Sequence, residues 1–282
     1  MTIQTALLQG TKLLEEATIS VPRLTAEVLL CHALHKERPY LYAHPEQELT
    51  EVAWIHYGRY LHERIKGKPT QYITGVQEFY GREFRVTRDV LIPRPETEHL
   101  VEACLARIQP GQKVLDVGTG SGAIAATLAL ETSAHVYATD ISQAALNVAV
   151  HNARRLSAQV TFLACDLASC FAAHSVDVLA SNPPYVPRTD QPVLQREVRD
   201  YEPEVALFAG PTGLEIFERL IAEAQRVLRP GGWLLMELGY KSLDPVRGML
   251  SAGWTDITVK EDLAGLPRVL AARYGLSLLP AR

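Results

Sequence analysis

The chain has 282 residues, of which 47% are hydrophobic and 21% are charged, and its formal net charge is −4. This composition is typical of a globular protein with one large or two ordinary domains. Positive charge is concentrated in neither half of the chain, which disfavours non-specific nucleic-acid binding. No apolar run approaches the roughly 20 residues that span a bilayer, and the N-terminus lacks the plan of a secretory signal.

Cysteine and histidine usage indicates no metal centre. The histidines form no HExxH pattern, and the cysteines lie mostly in apolar segments without a CxxC pair or metal-ligand spacing. The four cysteines are Cys31, Cys104, Cys165 and Cys170. We therefore expect reduced core thiols, no metal and a cytoplasmic location.

The first 70 or so residues predict a small all-helical unit. Apolar residues at helical spacing indicate an N-terminal helix and a second helix that begins at Pro22, since proline suits a first helical turn. Pro39 and Pro45 predict a short connection. A third helix is predicted over residues 52–65, and the glycine and proline of residues 67–69 end it.

A change of pattern follows this unit. Residues 79–86 alternate around Gly81, which predicts a β-hairpin, and residues 90–92 predict a short strand. The proline-rich segment that follows leads into a helix from His99, for which Thr97 or the flanking acids are expected to form the cap. Arg94 in this segment belongs either to a rigid linker or to a wall of the active site.

From Lys113 onward, predicted strands and helices alternate, which indicates a parallel sheet with helices on both faces. The predicted strands cover residues 114–117, 135–139, 160–164, 176–181 and 233–237, with a closing pair at 254–259 and 268–273. The predicted helices cover residues 123–130, 142–156 and 214–228, and Ser142 is expected to cap the second of them.

A rigid polar turn, Asn182-Pro183-Pro184-Tyr185, directly follows an apolar strand. Two consecutive prolines end the strand, and the Asn182 carboxamide is expected to project from its carboxyl end, where open parallel sheets bind ligands. The turn offers a side-chain amide, a prolyl carbonyl and an aromatic face, which together suit a planar group bearing an NH2. An ordinary strand-ending turn is the alternative interpretation.

A glycine-rich turn is predicted after the first strand of the sheet. It consists of Gly118, Thr119, Gly120, Ser121 and Gly122. Such a turn lets the backbone approach a ligand closely and directs helix N–H groups toward it. Asp140 follows Gly118 by 22 residues, a spacing typical of a carboxylate that binds ribose hydroxyls. Because the turn also fits a dinucleotide-binding pattern, a nicotinamide-dependent oxidoreductase remains open at this point.

Two further residues complete the set of groups at the strand ends. Asp166 follows the third strand and is placed to accept from an adenine amino group, and Leu167 is placed to cover the ring. The alternative role for Asp140 and Asp166 is helix capping. In chain order the four strand-end groups resemble those of class I S-adenosylmethionine-dependent methyltransferases with an N-P-P-Y motif, which methylate adenine N6 or a glutamine amide.

The resemblance extends beyond the sheet and runs nearly end to end. Residues 20–27, 92–98, 202–208, 213–214 and 262–269 look like those of the HemK/PrmC family, the peptide chain release factor glutamine N5-methyltransferases. The family resemblance implies an α/β class I methyltransferase fold with a Rossmann-like, seven-stranded, mostly parallel sheet. It further implies three parts: a helical substrate-recognition domain at 1–72, a β-hairpin linker at 73–95 and a methyltransferase domain at 96–282.

The resemblance also implies roles for individual residues. Those expected to contact S-adenosylmethionine are Gly118, Thr119, Gly120, Ser121, Gly122, Asp140, Asp166, Leu167 and Asn182. Those expected to hold the substrate amide are Asn182, Pro183, Pro184 and Tyr185, with Asn182, Pro183 and Tyr185 catalytic. No general base is evident, so we expect positioning to supply most of the catalysis.

The implied substrate is the glutamine of the Gly-Gly-Gln motif in bacterial release factors, with no nucleic-acid or membrane partner. The nearest alternative substrates are a ribosomal-protein glutamine and, less favoured by the acidic charge, adenine in DNA or RNA. A non-catalytic binding module is disfavoured by the full set of cofactor groups.

Overall fold

The computed structural model of the protein describes residues 1–250 and 253–275. Contacts divide the described chain into two compact units: residues 1–76 with Gln195–Tyr201, and Gln77–Leu194 with the described residues from Glu202 onward. No helix of the described part has the length and apolar character that a bilayer crossing requires. The division at residue 72 and the separate linker at 73–95 stay predictions.

The regular elements alternate between helices and strands after an all-helical beginning. The helices are α1 (Ile3–Glu16), α2 (Pro22–Leu34), α3 (Arg38–Ala43), α4 (Glu51–Ile65), α5 (Thr70–Thr74), α6 (Glu98–Leu105), α7 (Ala123–Glu131), α8 (Gln143–Leu156), α9 (Arg196–Tyr201), α10 (Glu204–Leu207), α11 (Glu215–Val227) and α12 (Leu243–Met249). The strands are β1 (Val76–Phe79), β2 (Arg82–Arg85), β3 (Lys113–Val117), β4 (His135–Asp140), β5 (Val160–Ala164), β6 (Val176–Ser181), β7 (Val186–Pro187), β8 (Phe208–Gly210), β9 (Leu228–Glu237), β10 (Trp254–Glu261) and β11 (Pro267–Tyr274). Short 3-10 turns cover Pro95–Thr97 and Arg188–Val193.

The first unit is helical, as predicted, and encloses its own apolar core. α1, α2 and α4 contribute fully buried side chains to it, among them Leu14, Leu29 and Tyr57. The predicted non-helical connection at Pro39 is wrong, because α3 forms there with the proline in its first turn. A proline at that position removes only an N–H that has no helical partner, so the helix tolerates it.

The second unit contains a seven-stranded sheet in the order β10-β11-β9-β6-β3-β4-β5. The strands from β9 to β5 in this order pair in parallel. β11 runs antiparallel to both β9 and β10, so the predicted closing pair is confirmed. This is the predicted seven-stranded, mostly parallel sheet.

Each face of the sheet covers a separate apolar core, because successive side chains of a strand point to opposite faces. Val114 of β3 packs with α6, α7 and the β1–β2 hairpin, whose Phe79 and Phe84 are buried there. Its neighbour Leu115 packs on the other face with α11, which contributes Phe217. The second unit therefore has three layers, with the sheet in the middle, and both faces of the sheet are covered by apolar side chains.

Two strand predictions differ from the structure. Residues 90–92 form no strand, although Val90 and Ile92 are buried. β9 begins at Leu228 and not at Trp233, and its pairing with β6 shifts, since Val176 pairs with Leu228 but Val178 with Trp233. The extra Pro-Gly-Gly residues are accommodated as a bulge in the ladder, which is where proline and glycine are tolerated within strands.

The four cysteines are free thiols. Cys104 is buried, as expected, but Cys170 is exposed, so the expectation of a core thiol is wrong there. Cys170 follows β5 in the loop before β6, and the apolar residues around it in sequence do not bring it into either core.

Replacement of Leu128 by alanine should destabilise the second unit strongly, because this side chain of α7 is fully buried in the core beneath the glycine turn. A large-to-small change of this kind costs about 2–5 kcal/mol in the free energy of unfolding. Leu263→Ala is the matched control, since Leu263 is fully exposed and its loss should change stability by no more than about 0.5 kcal/mol. Denaturant unfolding measures both, and similar losses would contradict the assigned packing of α7.

Candidate active site

The glycine-rich turn joins β3 to α7 and adopts the backbone that its sequence predicts. Gly118, Gly120 and Gly122 have φ values of +72°, +54° and +80°, a region in which residues with a Cβ are strained. A Cβ at Gly118 or Gly120 would meet no protein atom within 4 Å, whereas one at Gly122 would lie 3.0 Å from Cβ of Ala149 on α8. The first two glycines thus leave room for a ligand, and the third allows close helix packing.

A buried carboxylate holds this turn from within β3. Oδ2 of Asp116 accepts from the hydroxyl of Thr119 over 2.7 Å and from the backbone N–H of Ala125 over 3.2 Å. Asp116 is completely buried, and burial raises the pKa of its carboxyl group to about 7, although both hydrogen bonds lower it. The side chain of Thr119 is therefore directed into the protein and supports the turn from below.

A cavity of about 510 Å³ lies at the carboxyl ends of β3, β4, β5 and β6. It is lined by Gly118 and Gly120, Asp140, Asp166 and Leu167, and Asn182 and Pro184, among others. Thr119, Ser121 and Gly122 are instead buried and do not line the cavity. A volume of this size matches that of small-molecule sites, so the structure brings the residues predicted at four strand ends together around one space.

Asp140 ends β4 and is tied to the glycine turn. Its Oδ2 accepts from the backbone N–H of Gly120 and its Oδ1 from that of Ser142, each over 2.9 Å. Burial raises its pKa, and the bonds from Ser142 and Gly120 oppose that shift. Each carboxylate oxygen keeps a further lone pair for a ligand hydroxyl. Ser142 caps α8 as predicted, since its Oγ accepts from the N–H of Ala145 over 3.2 Å.

Asp166 and Leu167 line the cavity after β5. Oδ2 of Asp166 accepts from the guanidinium of Arg219 on α11 over 2.6 Å, and both side chains are about half exposed. Exposed pairs of this kind contribute little to stability. Leu167 has a φ of +50°, an uncommon backbone for a leucine. Arg219 also lines the cavity, and no sequence pattern predicted it there.

The Asn-Pro-Pro-Tyr turn leaves β6 as predicted. Oγ of Ser181, the last residue of the strand, donates to the carbonyl of Val117 over 2.8 Å and so holds the ends of β6 and β3 together. Tyr185 packs closely on Gly239, where an added Cβ would come within 2.6 Å of its ring. The backbone carbonyl of Tyr185 lies equally close to the Cβ position of Gly213. Neither glycine can be replaced without displacing the tyrosine.

Thr97 contacts Asn182 and does not cap α6. A cap by Thr97 is wrong, because the 3-10 turn Pro95–Thr97 continues directly into the helix and Thr97 makes no capping hydrogen bond. Of the flanking acids, Glu98 lies in the first turn of α6. Instead Oγ1 of Thr97 accepts from Nδ2 of Asn182 over 3.1 Å. Its hydroxyl also lies near the carboxylate of Glu237, the last residue of β9.

Glu237 is 2% exposed. Burial raises the pKa of its carboxyl group to about 7, and the nearby Thr97 hydroxyl opposes this shift. Oε2 of Glu237 has no hydrogen-bond partner among the described residues. Neither Glu237 nor Asp116 was predicted as a site residue, although both carry a detectable signal, namely an acidic residue within an otherwise apolar strand. A charge at such a position requires partners, which marks it as a candidate for function.

Arg94 is paired within the same unit. Its guanidinium donates to the buried carboxylate of Glu202, which also accepts from the backbone N–H of Ile92 over 3.4 Å. The proline-rich segment before α6 is thereby fixed beside the site. Among the described residues, no group of three or more histidine, cysteine, aspartate or glutamate side chains is arranged to hold a metal ion.

A seven-stranded, mostly parallel sheet with a glycine turn, an acidic residue after the second strand and an Asn-Pro-Pro-Tyr turn after the fourth defines a class I S-adenosylmethionine-dependent methyltransferase. Family models agree: the model of the PrmC N-terminal domain matches residues 5–75, and that of a methyltransferase domain matches residues 108–259. The release factor glutamine methyltransferase of Koribacter versatilis is 48% identical over 97% of this chain and 99% of its own length. The chain belongs to the family of release factor glutamine methyltransferases.

Two further relatives are consistent with this assignment. The release factor glutamine methyltransferase of Nitratidesulfovibrio vulgaris is 42% identical over 98% of this chain and 96% of its own. A solved structure of a methyltransferase from Pyrococcus furiosus superposes with a TM-score of 0.53 at 20% identity, covering 70% of this chain and 91% of that one. This structural similarity supports the fold alone.

Asp116→Asn should weaken the pH dependence of the free energy of unfolding. Because the folded pKa is raised from 3.8 to about 7, stability contributed by this group is present below about pH 4 and is lost as pH rises through about 7. Asparagine keeps an acceptor for Thr119 and Ala125 without titrating. Glu237 titrates in the same direction, so the dependence should decrease without disappearing.

Denaturant unfolding at about pH 5 and about pH 8 measures this effect. The difference in stability between the two conditions should be smaller in Asp116→Asn than in the unmodified protein. The control is Asp244→Asn, at an exposed position in the first turn of α12. If both variants keep the original difference, Asp116 does not titrate in the assigned range.

Proposed function

We propose that the chain transfers the methyl group of S-adenosylmethionine to the side-chain N5 of the glutamine in the Gly-Gly-Gln motif of peptide chain release factors, and so modulates translation termination. The observation that carries the proposal is the position of the Asn182 carboxamide, which lines the cavity at the carboxyl end of β6. The names of the curated relatives support the substrate.

The cavity fits the methyl donor in size and in chemistry. The open space beside Gly118 and Gly120 admits close approach to the backbone, and Asp140 presents a half-buried carboxylate suited to ribose hydroxyls. Asp166 and Leu167 are proposed to hold the adenine, with Arg219 close to Asp166. Bound there, S-adenosylmethionine supplies an electrophilic methyl group on a positively charged sulfur.

The Asn-Pro-Pro-Tyr turn is proposed to hold the reacting amide. An amide nitrogen is a poor nucleophile because its lone pair is delocalised into the carbonyl group. If Oδ1 of Asn182 and the carbonyl oxygen of Pro183 accept the two N–H hydrogens, the lone pair is directed away from them and toward the cavity. Pro184 keeps the turn rigid, and the ring of Tyr185, held by Gly239, provides a face for stacking.

Positioning is proposed to supply most of the rate enhancement. Proximity and orientation can lower a barrier by about 7–11 kcal/mol, whereas a general base typically contributes about 10²–10⁴-fold. Asn182 cannot act as a base, so its contribution is the geometry of its acceptor.

Partners and location follow from this reaction. Release factors are the proposed protein substrate, recognised by the helical N-terminal domain that we place at residues 1–72, and no direct contact with nucleic acid or membrane is proposed. Since release factors act in translation, we place the enzyme in the cytoplasm.

A labelling experiment tests the substrate directly. Purified unmethylated release factor is incubated with the protein and isotopically labelled S-adenosylmethionine, and the label is mapped by tandem mass spectrometry. One methyl group confined to the Gly-Gly-Gln glutamine is the expected result. Label on a ribosomal protein or on nucleic acid, with none on the release factor, would assign the enzyme to one of the alternative substrates.

Asn182→Ala should lower turnover by roughly 10²–10³-fold, the effect typical of removing one preorganised polar group from a reacting centre. Cofactor affinity should change little, because the amide is needed mainly to orient the substrate nitrogen. Asp140→Ala serves as the contrasting variant and should weaken cofactor binding first. Calorimetric titration with S-adenosylmethionine and single-turnover rates separate the two effects. If cofactor affinity in Asn182→Ala falls as far as turnover does, the positioning role is wrong.

A further inference from the structure

Two cysteines lie in the loop that follows β5. Cys165 lines the cavity beside Asp166 and Leu167, and Cys170 is exposed in the same loop. Their Sγ atoms lie 2.6 Å apart. Two thiols at this separation need only a small movement to form a disulfide, whose S–S bond is about 2.05 Å long. The proposed methyl transfer gives neither thiol a role.

The hydrogen bonds of the two thiols have a direction, because each thiol carries one hydrogen. Sγ of Cys165 donates to the backbone carbonyl of Leu167 over 3.4 Å. The hydrogen between the two sulfur atoms is therefore the one on Cys170, which donates to Sγ of Cys165. A disulfide has no S–H group, so its formation would remove the hydrogen bond to Leu167.

Leu167 is the residue of this loop that depends on the bond from Cys165. Its φ of +50° is an uncommon backbone conformation for a leucine, which requires support from its surroundings. The later part of the loop is held separately, since the guanidinium of Arg226 donates to the carbonyls of Ala168 and Phe171 over 2.8 Å and 2.6 Å. Loss of the bond from Cys165 therefore affects Leu167 and its neighbour Asp166 more than the rest of the loop.

We propose that Cys165 and Cys170 form a reversible dithiol–disulfide site, and that closing the disulfide weakens the binding of S-adenosylmethionine. The co-reactant is a small disulfide such as oxidised glutathione. The assignment of Asp166 and Leu167 to the adenine rests on the proposed function. Formation of the disulfide is a property of the chain alone, and it is measured separately.

The reaction has two steps, and Cys170 reacts first because it is exposed. Cys170 loses its proton to water, and its thiolate attacks one sulfur of the small disulfide, which gives a mixed disulfide and releases one thiolate. Cys165 then loses its proton and attacks Sγ of Cys170, which displaces the second thiolate. The two protein thiols lose two electrons and two protons, and the small disulfide is reduced to two thiols. An added dithiol reverses both steps.

The surroundings of Cys170 make this reaction slow. Burial and the hydrogen bond with Cys165 raise the pKa of its thiol to about 11, while the charge of Arg226 opposes that shift. Because the thiolate is the attacking species, little of the reactive form is present at neutral pH. The site should therefore respond to sustained oxidation and not to a brief pulse.

The first test detects the disulfide. Reduced protein is incubated with oxidised glutathione at mildly alkaline pH and is digested with trypsin without reductant. Trypsin cleaves after Arg155 and Arg188, so one peptide contains Cys165 and Cys170 and no other cysteine. This peptide should lose the mass of two hydrogens and regain it on treatment with dithiothreitol. In Cys170→Ser the loss should not occur.

The second test measures cofactor affinity by calorimetric titration with S-adenosylmethionine. Oxidation should lower the affinity by about two- to tenfold, the range expected for one net hydrogen bond, and dithiothreitol should restore it. Cys170→Ser keeps a donor for Cys165 but forms no disulfide, so its affinity should be the same before and after the oxidant. Cys31→Ser is the matched control, because Cys31 lies in the first unit and its loss should leave the response intact.

The outcomes separate the inference from the proposed function. A stable glutathione adduct on Cys170 without closure would overturn the inference, and so would a closed disulfide with unchanged or higher cofactor affinity. A response that persists in Cys170→Ser would come from other thiols and would also overturn it. If the reduced protein binds S-adenosylmethionine but methylates no release factor, the proposed function is wrong, and the two affinities still decide this inference.

Discussion

Parallel pairing of neighbouring strands is the constraint on which the candidate site depends. Because β3, β4, β5 and β6 run in the same direction, each delivers its last residue to one edge of the sheet. Residues far apart in sequence, such as Gly118 and Asn182, thereby line one cavity. The dry cores on both faces keep these strand ends in register, so the geometry of the site is a consequence of the packing beneath it.

Support for the site comes from side chains that do not line the cavity. Asp116 holds the glycine turn from within β3, Glu202 fixes Ile92 and Arg94 beside α6, and Glu237 lies near Thr97, which accepts from Asn182. All three are carboxylates that the fold buries almost completely. Asp116 and Glu202 each accept hydrogen bonds from groups whose orientation would otherwise be free.

Local sequence patterns predicted most strands and helices correctly. They failed where contacts between residues distant in sequence determine the structure. β5 and β6 have the predicted bounds, because a short apolar run in an alternating strand–helix pattern is readily identified as a buried strand. Thr97 or the flanking acids were expected to cap α6, but the Thr97 hydroxyl makes no capping bond and instead accepts from Asn182 in the turn after β6. The start of β9 was missed because Pro230-Gly231-Gly232 normally ends an element, and only the pairing partner shows that a bulge carries the chain through.

Burying the carboxylate of Glu237 lowers the stability of the fold. This cost argues that the residue serves a purpose other than stability. Keeping this carboxylate ionised in the folded chain disfavours folding by roughly 3 kcal/mol, at 1.36 kcal/mol for each pH unit between 4.5 and about 7. A glutamine or an apolar residue would fill the same space at the end of an apolar strand without that cost. A buried charge at the end of β9 is therefore explained better by function than by stability.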